Sequence, residues 1–463
     1  MSGAGVGSAA LESVSKTLAS FVAASSWPDI ASSVRHEAKR ALLNFVGCAL
    51  VASNSEPIET AMRVVRRFAG APQAGLIGRP ERLDILSASF INAAGANLFD
   101  YDDTHLRTVI HPTAPVAPAV LALAEVQGCS GTAALHALIL GMEIACRIGN
   151  GVSPGHYARG WHITATCGVF GAAAASAKLL GLSQSQASHA LGLAASQSAG
   201  LVENLATAAK NVGVGNSARN GLFAALLAQA GYEAAPTAIE GSLGWARAAG
   251  DVPNVAAIVD GLGEEWELLR NTYKPYPSGI VFHAIVDACL SLRREHELDV
   301  DAIDAITVSG DALLLARGDR AVRNERDARV SIHHTAAVAL LFGAAGLREY
   351  SADMVANERV RALRSRVRAA LADDLPRGAA RVDATLRDGR VISASVLAAR
   401  GSAACPLSDG EIEMKVRALA EQGAPACDAD AIIEAVWDID RAPDLQPLMA
   451  LLRAHQHDRG ATV

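Results

Sequence analysis

Apolar residues recur at intervals of three and four through the first half of the chain, and this spacing predicts amphipathic helices. The predicted helices follow one another with short polar or glycine-containing connections between them. They cover 32–53, 87–103, 114–128, 131–151, 168–182, 183–201 and 216–231. Such a succession predicts a large helical bundle.

The pattern changes after about residue 266. A β-branched run within 301–316 predicts a strand, and 381–401 predicts a hairpin, because two alternating stretches flank an Asp-Gly turn. Helical patterns at 281–298 and 331–346 lie between them. The fold class is therefore mostly α with a smaller α+β domain. The predicted domains are an all-helical domain (1–266), an α+β domain (267–402) and C-terminal helices (403–463) that begin with an N-cap at Ser408 and pack back on the first domain.

Composition supports this fold and narrows the function. Hydrophobic residues make up 51% of the 463 residues but aromatic residues only 4%, so Ala, Leu, Val and Ile dominate; with 40 glycines, this predicts closely packed helices. The net charge is −7 with dispersed Lys and Arg, which argues against a nucleic-acid partner. Seven cysteines without metal-binding spacing, no signal peptide and no membrane span indicate a cytoplasmic protein with reduced, buried thiols.

The densest group of reactive side chains is Phe-Asp-Tyr-Asp-Asp-Thr-His at 99–105, followed by His111. It includes Asp100 and Thr104. If the group has only a structural role, it is a helix terminus with solvated acids. Acids near a helix C-terminus oppose the helix dipole, however, which favours a functional role. A Mg²⁺ site is a further possibility at this point, because carboxylates bind that ion.

Other candidates are isolated. His162, between Trp161 and Thr164, is either a core histidine or a catalytic acid. Lys210 precedes Gly213 and Gly215 in an uncharged stretch; it is either a surface lysine or a cation for an anionic ligand, with backbone N–H groups at the glycines available to a carboxylate. A second such cation is Lys274, in the segment Lys-Pro-Tyr-Pro-Ser-Gly, and further histidines stand at His283, His333 and His334.

Three other site types lack their motifs. No GxSxG nucleophile motif precedes a helix, and the P-loop order GxxxxGK[ST] is missing. The Gly213-Val-Gly215 pair follows no predicted strand and lacks the third glycine of a dinucleotide site.

The ordered motifs together resemble the MmgE/PrpD family from about residue 10 to residue 440. They are FDYDDTH with a following HP, GWHIT, GAAAASAKLLGL, ALGLAASQSAGL, the lone lysine before glycines, KPYPSG and RGSAACPLSDGEIEMK. The resemblance implies a helical domain with an α+β lid, a homodimer, and no metal or organic cofactor, which disfavours the Mg²⁺ site. Its members include 2-methylcitrate dehydratases, cis-aconitate decarboxylases and iminodisuccinate epimerases.

By the same resemblance, six residues fall on pocket positions: Asp100, Thr104, His111, His162, Lys210 and Lys274. The lysines would hold substrate carboxylates, and the two histidines would act as base and acid in an order that the sequence leaves open. Asp100 would orient a histidine, and Thr104 would donate a hydrogen bond.

The chain departs from the decarboxylases at two positions. Gly279 stands where they carry a catalytic histidine, and His334 aligns with their tyrosine. Ser278 and Gly279 are then expected to make room for, or bind, a different substrate. The favoured activity is dehydration of a tricarboxylate of the 2-methylcitrate type; the alternatives are an epimerase of an amino- or imino-dicarboxylate and a non-catalytic carboxylate-binding protein.

Overall fold

The computed structural model describes residues 13–250 and 252–454. Contacts divide them into two compact units. The helical unit comprises 13–98, 103–271 and 413–454, and the α+β unit comprises 99–102 and 272–412. The divisions fall at 271/272 and 412/413, whereas the sequence places domain boundaries at 266/267 and 402/403, which stay predictions.

The first part of the helical unit is a series of twelve helices. They are α1 (Val14–Ala24), α2 (Ser32–Ala52), α3 (Glu56–Val65), α4 (Ile85–Ala96), α5 (Thr113–Gln127), α6 (Gly131–Val152), α7 (Gly155–Ala158), α8 (Ile163–Leu179), α9 (Gln184–Ala195), α10 (Ala209–Gln229), α11 (Trp245–Ala249) and α12 (Ala256–Val259). Three two-residue strands accompany them: β1 (Ala74–Gly75), β2 (Arg82–Leu83) and β3 (Thr104–His105). A fourth, β4 (Asn271–Thr272), lies at the division between the units.

Helix α8 is the centre of the helical unit, packed against α5, α6, α9 and α10. Small residues allow this close approach, as the crossing of α6 and α8 shows. A Cβ on Gly141 would lie 2.7 Å from the carbonyl oxygen of Gly171, and one on Gly171 would lie 2.5 Å from that of Gly141. Helix α6 is long and apolar enough to cross a membrane by composition alone, but 89% of its apolar window is buried inside the protein.

The α+β unit alternates helices with a four-stranded sheet. Its elements are α13 (His283–His296), β5 (Ile303–Gly310), α14 (Ala312–Gly318), α15 (Glu325–Ala328), α16 (Ile332–Phe342), α17 (Ala352–Ala356), α18 (Glu358–Arg364), β6 (Val367–Leu371), β7 (Ala380–Leu386) and β8 (Val391–Val396). The strand order is β6-β5-β7-β8, with β5 and β6 parallel and the other pairs antiparallel. Side chains on β5 and β7, such as Val308 and Val382, form a core with α13 and α16.

Three further helices follow among the described residues: α19 (Asp409–Gly423), α20 (Ala429–Trp437) and α21 (Gln446–Leu451). Ser408 caps α19 as expected, because its hydroxyl accepts the Glu411 N–H at 3.3 Å and the Glu411 carboxylate accepts the Ser408 N–H at 2.8 Å. The mostly α fold with a smaller α+β part is thus confirmed. Within the described residues the seven cysteines form no disulfide, and Cys405 is exposed and Cys129 partly exposed, which corrects the expectation that every thiol is buried.

Two predicted helix boundaries near the candidate site are wrong. Helix α4 ends at Ala96, so the acidic residues after 99 lie in a loop and not at a helix C-terminus. Asp100 has a left-handed φ of 55°, which ends any helical continuation. Helix α10 starts at Ala209, and Gly213 and Gly215 are therefore helical residues instead of a turn.

Candidate active site

The loop after α4 supplies residues to both units. Residues 99–102 belong to the α+β unit, whereas Asp103 and Thr104 belong to the helical unit. The short polar stretch that looked like one cluster in the sequence is thus divided between two structural environments. No local pattern in the sequence indicates this division.

His111 lies in the helical unit, just before α5, and is only partly buried. Its Nδ1 is 2.6 Å from the backbone carbonyl oxygen of Asp103 and 3.2 Å from the hydroxyl of Thr104. A carbonyl oxygen can only accept, so Nδ1 carries a proton. In the neutral ring, Nε2 therefore holds the lone pair, which makes it the basic nitrogen.

Asp103 fixes this arrangement. Its carboxylate is 1% exposed and accepts hydrogen bonds from the hydroxyl of Thr113 and, at 2.7 Å, from the amide of Asn271. These bonds hold Asp103 in place, and its backbone carbonyl oxygen accepts the hydrogen bond that the Nδ1–H of His111 donates, so Asp103 is a positioning residue. Sequence reasoning recognised the acid but assigned the orienting role to Asp100.

His162 is the N-cap residue of α8, 3% exposed, and its backbone N–H donates to the carbonyl oxygen of Gly200 at 3.1 Å. Two residues further on, the Thr164 hydroxyl accepts the backbone N–H of His111 at 3.1 Å. The start of α8 therefore brings the two predicted histidine positions into one neighbourhood of the helical unit. The sequence does not show that these two histidines are neighbours, because the hydrogen bond that connects their segments joins a loop to the start of a distant helix.

Replacing His162 with Asn is expected to lower turnover about 100-fold while leaving the melting temperature nearly unchanged. Asparagine is a favoured N-cap residue, so α8 keeps a suitable first residue. Steady-state kinetics and thermal unfolding of the same preparations measure the two effects. A large fall in melting temperature with normal turnover would instead identify His162 as a core histidine.

Lys210 lies in the first turn of α10 and is 5% exposed. The start of α10 packs against the start of α8, because a Cβ on Gly213 would lie 3.3 Å from that of Ala165 and 3.8 Å from the Cα of Gly200. A cation at a helix N-terminus is opposed by the helix dipole, and burial adds a further cost. Both the ammonium group and the helix terminus favour a negatively charged ligand at this position.

The predicted backbone cradle at Gly213 and Gly215 is wrong. Inside a helix, the N–H groups beyond the first turn bond to carbonyls four residues earlier and are not available to a ligand. These glycines instead permit close packing: a Cβ on Gly215 would lie 2.7 Å from the ring of Phe90.

The α+β unit holds the remaining predicted residues. Lys274 is 4% exposed, and its Nζ lies 3.7 Å from a carboxylate oxygen of Asp102, within ion-pair range. The Tyr101 hydroxyl donates to the carbonyl oxygen of Pro275 at 2.8 Å, which attaches the segment 99–102 to the turn that follows Lys274. Ser278 is fully buried in that turn.

Gly279 ends the turn, and its N–H donates to the carbonyl oxygen of Arg329 at 3.2 Å. A Cβ on Gly279 would lie 2.9 Å from the ring of Phe282, so no larger side chain fits there without movement of that ring. A histidine at this position would therefore require the Phe282 ring to shift.

His334 lies in α16 and is fully buried. Its Nε2 is 2.9 Å from the carbonyl oxygen of Glu349, and burial lowers the pKa of the ring to about 4. The ring is therefore neutral near pH 7 and has the surroundings of a core histidine. Its predicted contact with substrate stays a prediction.

A buried pair, His105 and Glu267, is not apparent from the sequence. His105 is fully buried and lies 2.7 Å from a carboxylate oxygen of Glu267 through Nε2 and 2.7 Å from the Thr108 hydroxyl through Nδ1. Burial by itself would raise the pKa of Glu267. The hydrogen bond and charge of His105, with the charge of Arg270, have the larger effect and lower the pKa to about 2. The pair fixes the residue after Thr104 to the 3₁₀ turn Glu267–Arg270.

Replacing Glu267 with Gln is expected to lower the free energy of unfolding by about 3 kcal/mol at pH 7. The pKa of Glu267 in the folded protein lies below its ordinary value of 4.5. The ionised carboxylate therefore stabilises the folded state at pH values above about 4.5. The contribution is lost as the pH falls from about 4.5 to about 2, so the wild type and the variant should converge. Urea unfolding at several pH values measures this difference.

Glu265 offers the matched control, since it pairs with the same Arg270 at 2.9 Å but is 67% exposed. Its change to Gln is expected to cost less than about 1 kcal/mol. A Glu267 effect that persists unchanged at pH 3 would contradict the electrostatic explanation.

Among residues 13–250 and 252–454, no group of three or more His, Cys, Asp or Glu side chains is arranged to hold a metal ion. The metal-free and cofactor-free character of the site stays a prediction.

The described residues thus place two histidines and a buried lysine at or near helix termini of the helical unit, and another buried lysine, Lys274, in the α+β unit. The MmgE/PrpD N-terminal domain matches residues 16–256, and the MmgE/PrpD C-terminal domain matches residues 276–440. The chain therefore belongs to the MmgE/PrpD family.

Several curated relatives cover nearly the whole chain. The cis-aconitate decarboxylase-like protein oryM of Aspergillus oryzae is 27% identical over 92% of this chain and 94% of its own length. The cis-aconitate decarboxylase of Aspergillus terreus is 28% identical over 92% of each chain, and that of Homo sapiens is 25% identical over 96% of this chain and 95% of its own. These similarities support a lyase-type enzyme that acts on a carboxylate.

Proposed function

We propose that the protein is a cofactor-free enzyme that transfers a proton on the carbon skeleton of a small di- or tricarboxylate, and specifically a lyase of the 2-methylcitrate dehydratase type. The observation that carries the proposal is the fixed orientation of His111. Its Nδ1–H donates to the backbone carbonyl oxygen of Asp103 at 2.6 Å, so that Nε2 holds the lone pair. The decarboxylase relatives act on a carboxylate by name, which supports the substrate class.

The chemistry follows from these groups. Nε2 of His111 removes a proton from the carbon next to a substrate carboxylate, and negative charge develops on that carboxylate. The ammonium group of Lys210 and the N-terminus of α10 stabilise this charge. The bond to the hydroxyl group on the adjacent carbon then breaks, an alkene forms, and His162 supplies the proton with which hydroxide leaves as water.

Two alternatives differ from dehydration in the step after proton removal. An epimerase returns the proton to the opposite face of the same carbon, which two histidines at the start of α8 and before α5 also support. A decarboxylase loses carbon dioxide, as the relatives' names indicate, but this chain has Gly279 where the decarboxylases carry a catalytic histidine. Dehydration therefore comes first among the three.

Proton NMR of the purified, EDTA-treated protein in D₂O, with a panel of small acids, tests the proposal. The panel contains 2-methylcitrate, citrate, cis-aconitate, malate and both enantiomers of iminodisuccinate. A new alkene signal from 2-methylcitrate or citrate supports the dehydratase, and deuterium entry with inversion and no alkene identifies an epimerase. Release of carbon dioxide from cis-aconitate identifies a decarboxylase.

The His111→Asn variant is the control for adventitious activity. Absence of exchange and conversion for every acid, with a folded wild-type protein, would reject the proposed reaction class. A wild-type protein that binds these acids without any exchange would favour the non-catalytic alternative.

A further inference from the structure

Another buried cation, Arg329, lies in the α+β unit between α15 and α16. The residue is 5% exposed, and its guanidinium carbon lies 5.0 Å from the centre of the Phe99 ring. One ion pair is loose: the guanidinium lies 3.7 Å from the Glu325 carboxylate, which is itself 45% exposed. The buried Nε of Arg329 has no hydrogen-bond partner among the described residues.

Such a guanidinium is unfavourable in a folded protein unless an anion satisfies it. Burial lowers the pKa of Arg329, while the nearby carboxylates of Asp100 and Glu325 oppose that effect. A buried donor without a hydrogen-bond partner destabilises a folded protein. A planar guanidinium also suits a carboxylate particularly well, because two parallel N–H groups can bind both of its oxygens.

Arg329 is joined to the predicted substrate-binding turn of the same unit. Its carbonyl oxygen accepts the N–H of Gly279, and its side chain covers Phe99, the first residue of the segment 99–102. That segment reaches Lys274 through Asp102. Two buried cations therefore flank one segment of the α+β unit.

We infer that the guanidinium of Arg329 binds a carboxylate of the substrate, separate from the carboxylate assigned to Lys274. The inference rests on the proposed function and deepens it, because an additional buried cation selects a substrate with an additional carboxylate. Arg329 is then a specificity-determining residue that favours tricarboxylates over dicarboxylates.

A pair of inert acids tests this role without any assumption about the reaction. Tricarballylate and glutarate share a five-carbon chain with carboxylates at both ends, and only tricarballylate has a third carboxylate on the central carbon. Isothermal titration calorimetry of the full-length wild type is expected to show tighter binding of tricarballylate. In Arg329→Gln, this preference should fall by about 10- to 100-fold, with glutarate affinity changed by less than about threefold, because glutarate lacks the additional carboxylate that Arg329 selects.

Two further variants separate ligand binding from structure. Arg329→Lys keeps the charge and should restore part of the preference, whereas Glu325→Gln removes the ion pair within the protein and should leave it unchanged. Equal weakening of both acids in Arg329→Gln, or loss of the preference in Glu325→Gln, would overturn the inference. Unchanged melting temperatures verify that each variant is folded.

The outcomes also distinguish this inference from the proposed function. A wild type that exchanges deuterium while Arg329→Gln retains the full preference for tricarballylate overturns the inference alone. A wild type that binds neither acid and exchanges no deuterium overturns both.

Discussion

Replacing His111 with Asn is expected to reduce kcat by a factor of about 10² to 10⁴ on the acid that the wild type converts. The Asn amide nitrogen takes approximately the place of Nδ1 and can still donate to the carbonyl oxygen of Asp103, but the basic Nε2 is lost. The protein should therefore fold normally and lack the proton acceptor. Deuterium entry from D₂O, followed by NMR, measures the proton-transfer step directly.

His136 is the control for this experiment. It is a buried histidine of the helical unit, bonded to the Ser25 hydroxyl at 2.9 Å, and burial lowers its pKa to about 4. Its change to Asn is expected to reduce stability and leave kcat unchanged. Normal exchange by the His111 variant would remove His111 from the role of base, and equal effects of both variants would indicate a general loss of structure.

Replacing Lys210 with Met is expected to reduce kcat/KM by about 10² to 10³, which corresponds to about 2.7–4 kcal/mol of lost transition-state stabilisation. The methionine side chain has a similar length without the charge. Because the residue is 5% exposed in the first turn of α10, kcat/KM should fall much further than any accompanying change in melting temperature explains. Kinetics and thermal unfolding of one preparation test both statements.

Lys178 provides the contrasting variant. It also lies in the helical unit, but its Nζ donates to the carbonyl oxygen of Ser25 at 2.6 Å near the end of α8. Its change to Met is expected to reduce stability without affecting kcat/KM. A Lys210 variant with full activity would exclude that lysine from the site.

Much of the fold could be predicted because local patterns determined it. The β-branched run at 303–310 is strand β5, and the Asp-Gly turn joins β7 to β8. The surplus of Gly and Ala among consecutive helices predicted close crossings, which Gly141 and Gly171 confirm. These features depend on residues adjacent in sequence or on side-chain volume alone.

Helix boundaries near the site were less predictable. The glycines at 213 and 215 suggested a turn, because glycine lowers helix propensity by about 1 kcal/mol. Packing of α10 against α4 and α8 outweighs that cost. Glycine permits this packing, because a larger residue at Gly215 would collide with Phe90. Similarly, the apolar pattern of α4 continued into the acidic loop, and the left-handed conformation of Asp100 is visible only in the structure.

The sequence by itself determined the fold class, the family resemblance and the identity of the reactive residues, because periodicity and motif order are properties of the chain. Only the tertiary structure decided which nitrogen of His111 carries a proton, which unit holds Asp100, and that Arg329 is buried with an unsatisfied donor. The reason is physical: hydrogen-bond direction, burial and charge pairing depend on distances between residues far apart in sequence. Periodicity reports which face of an element is apolar, but not the atoms that the face meets.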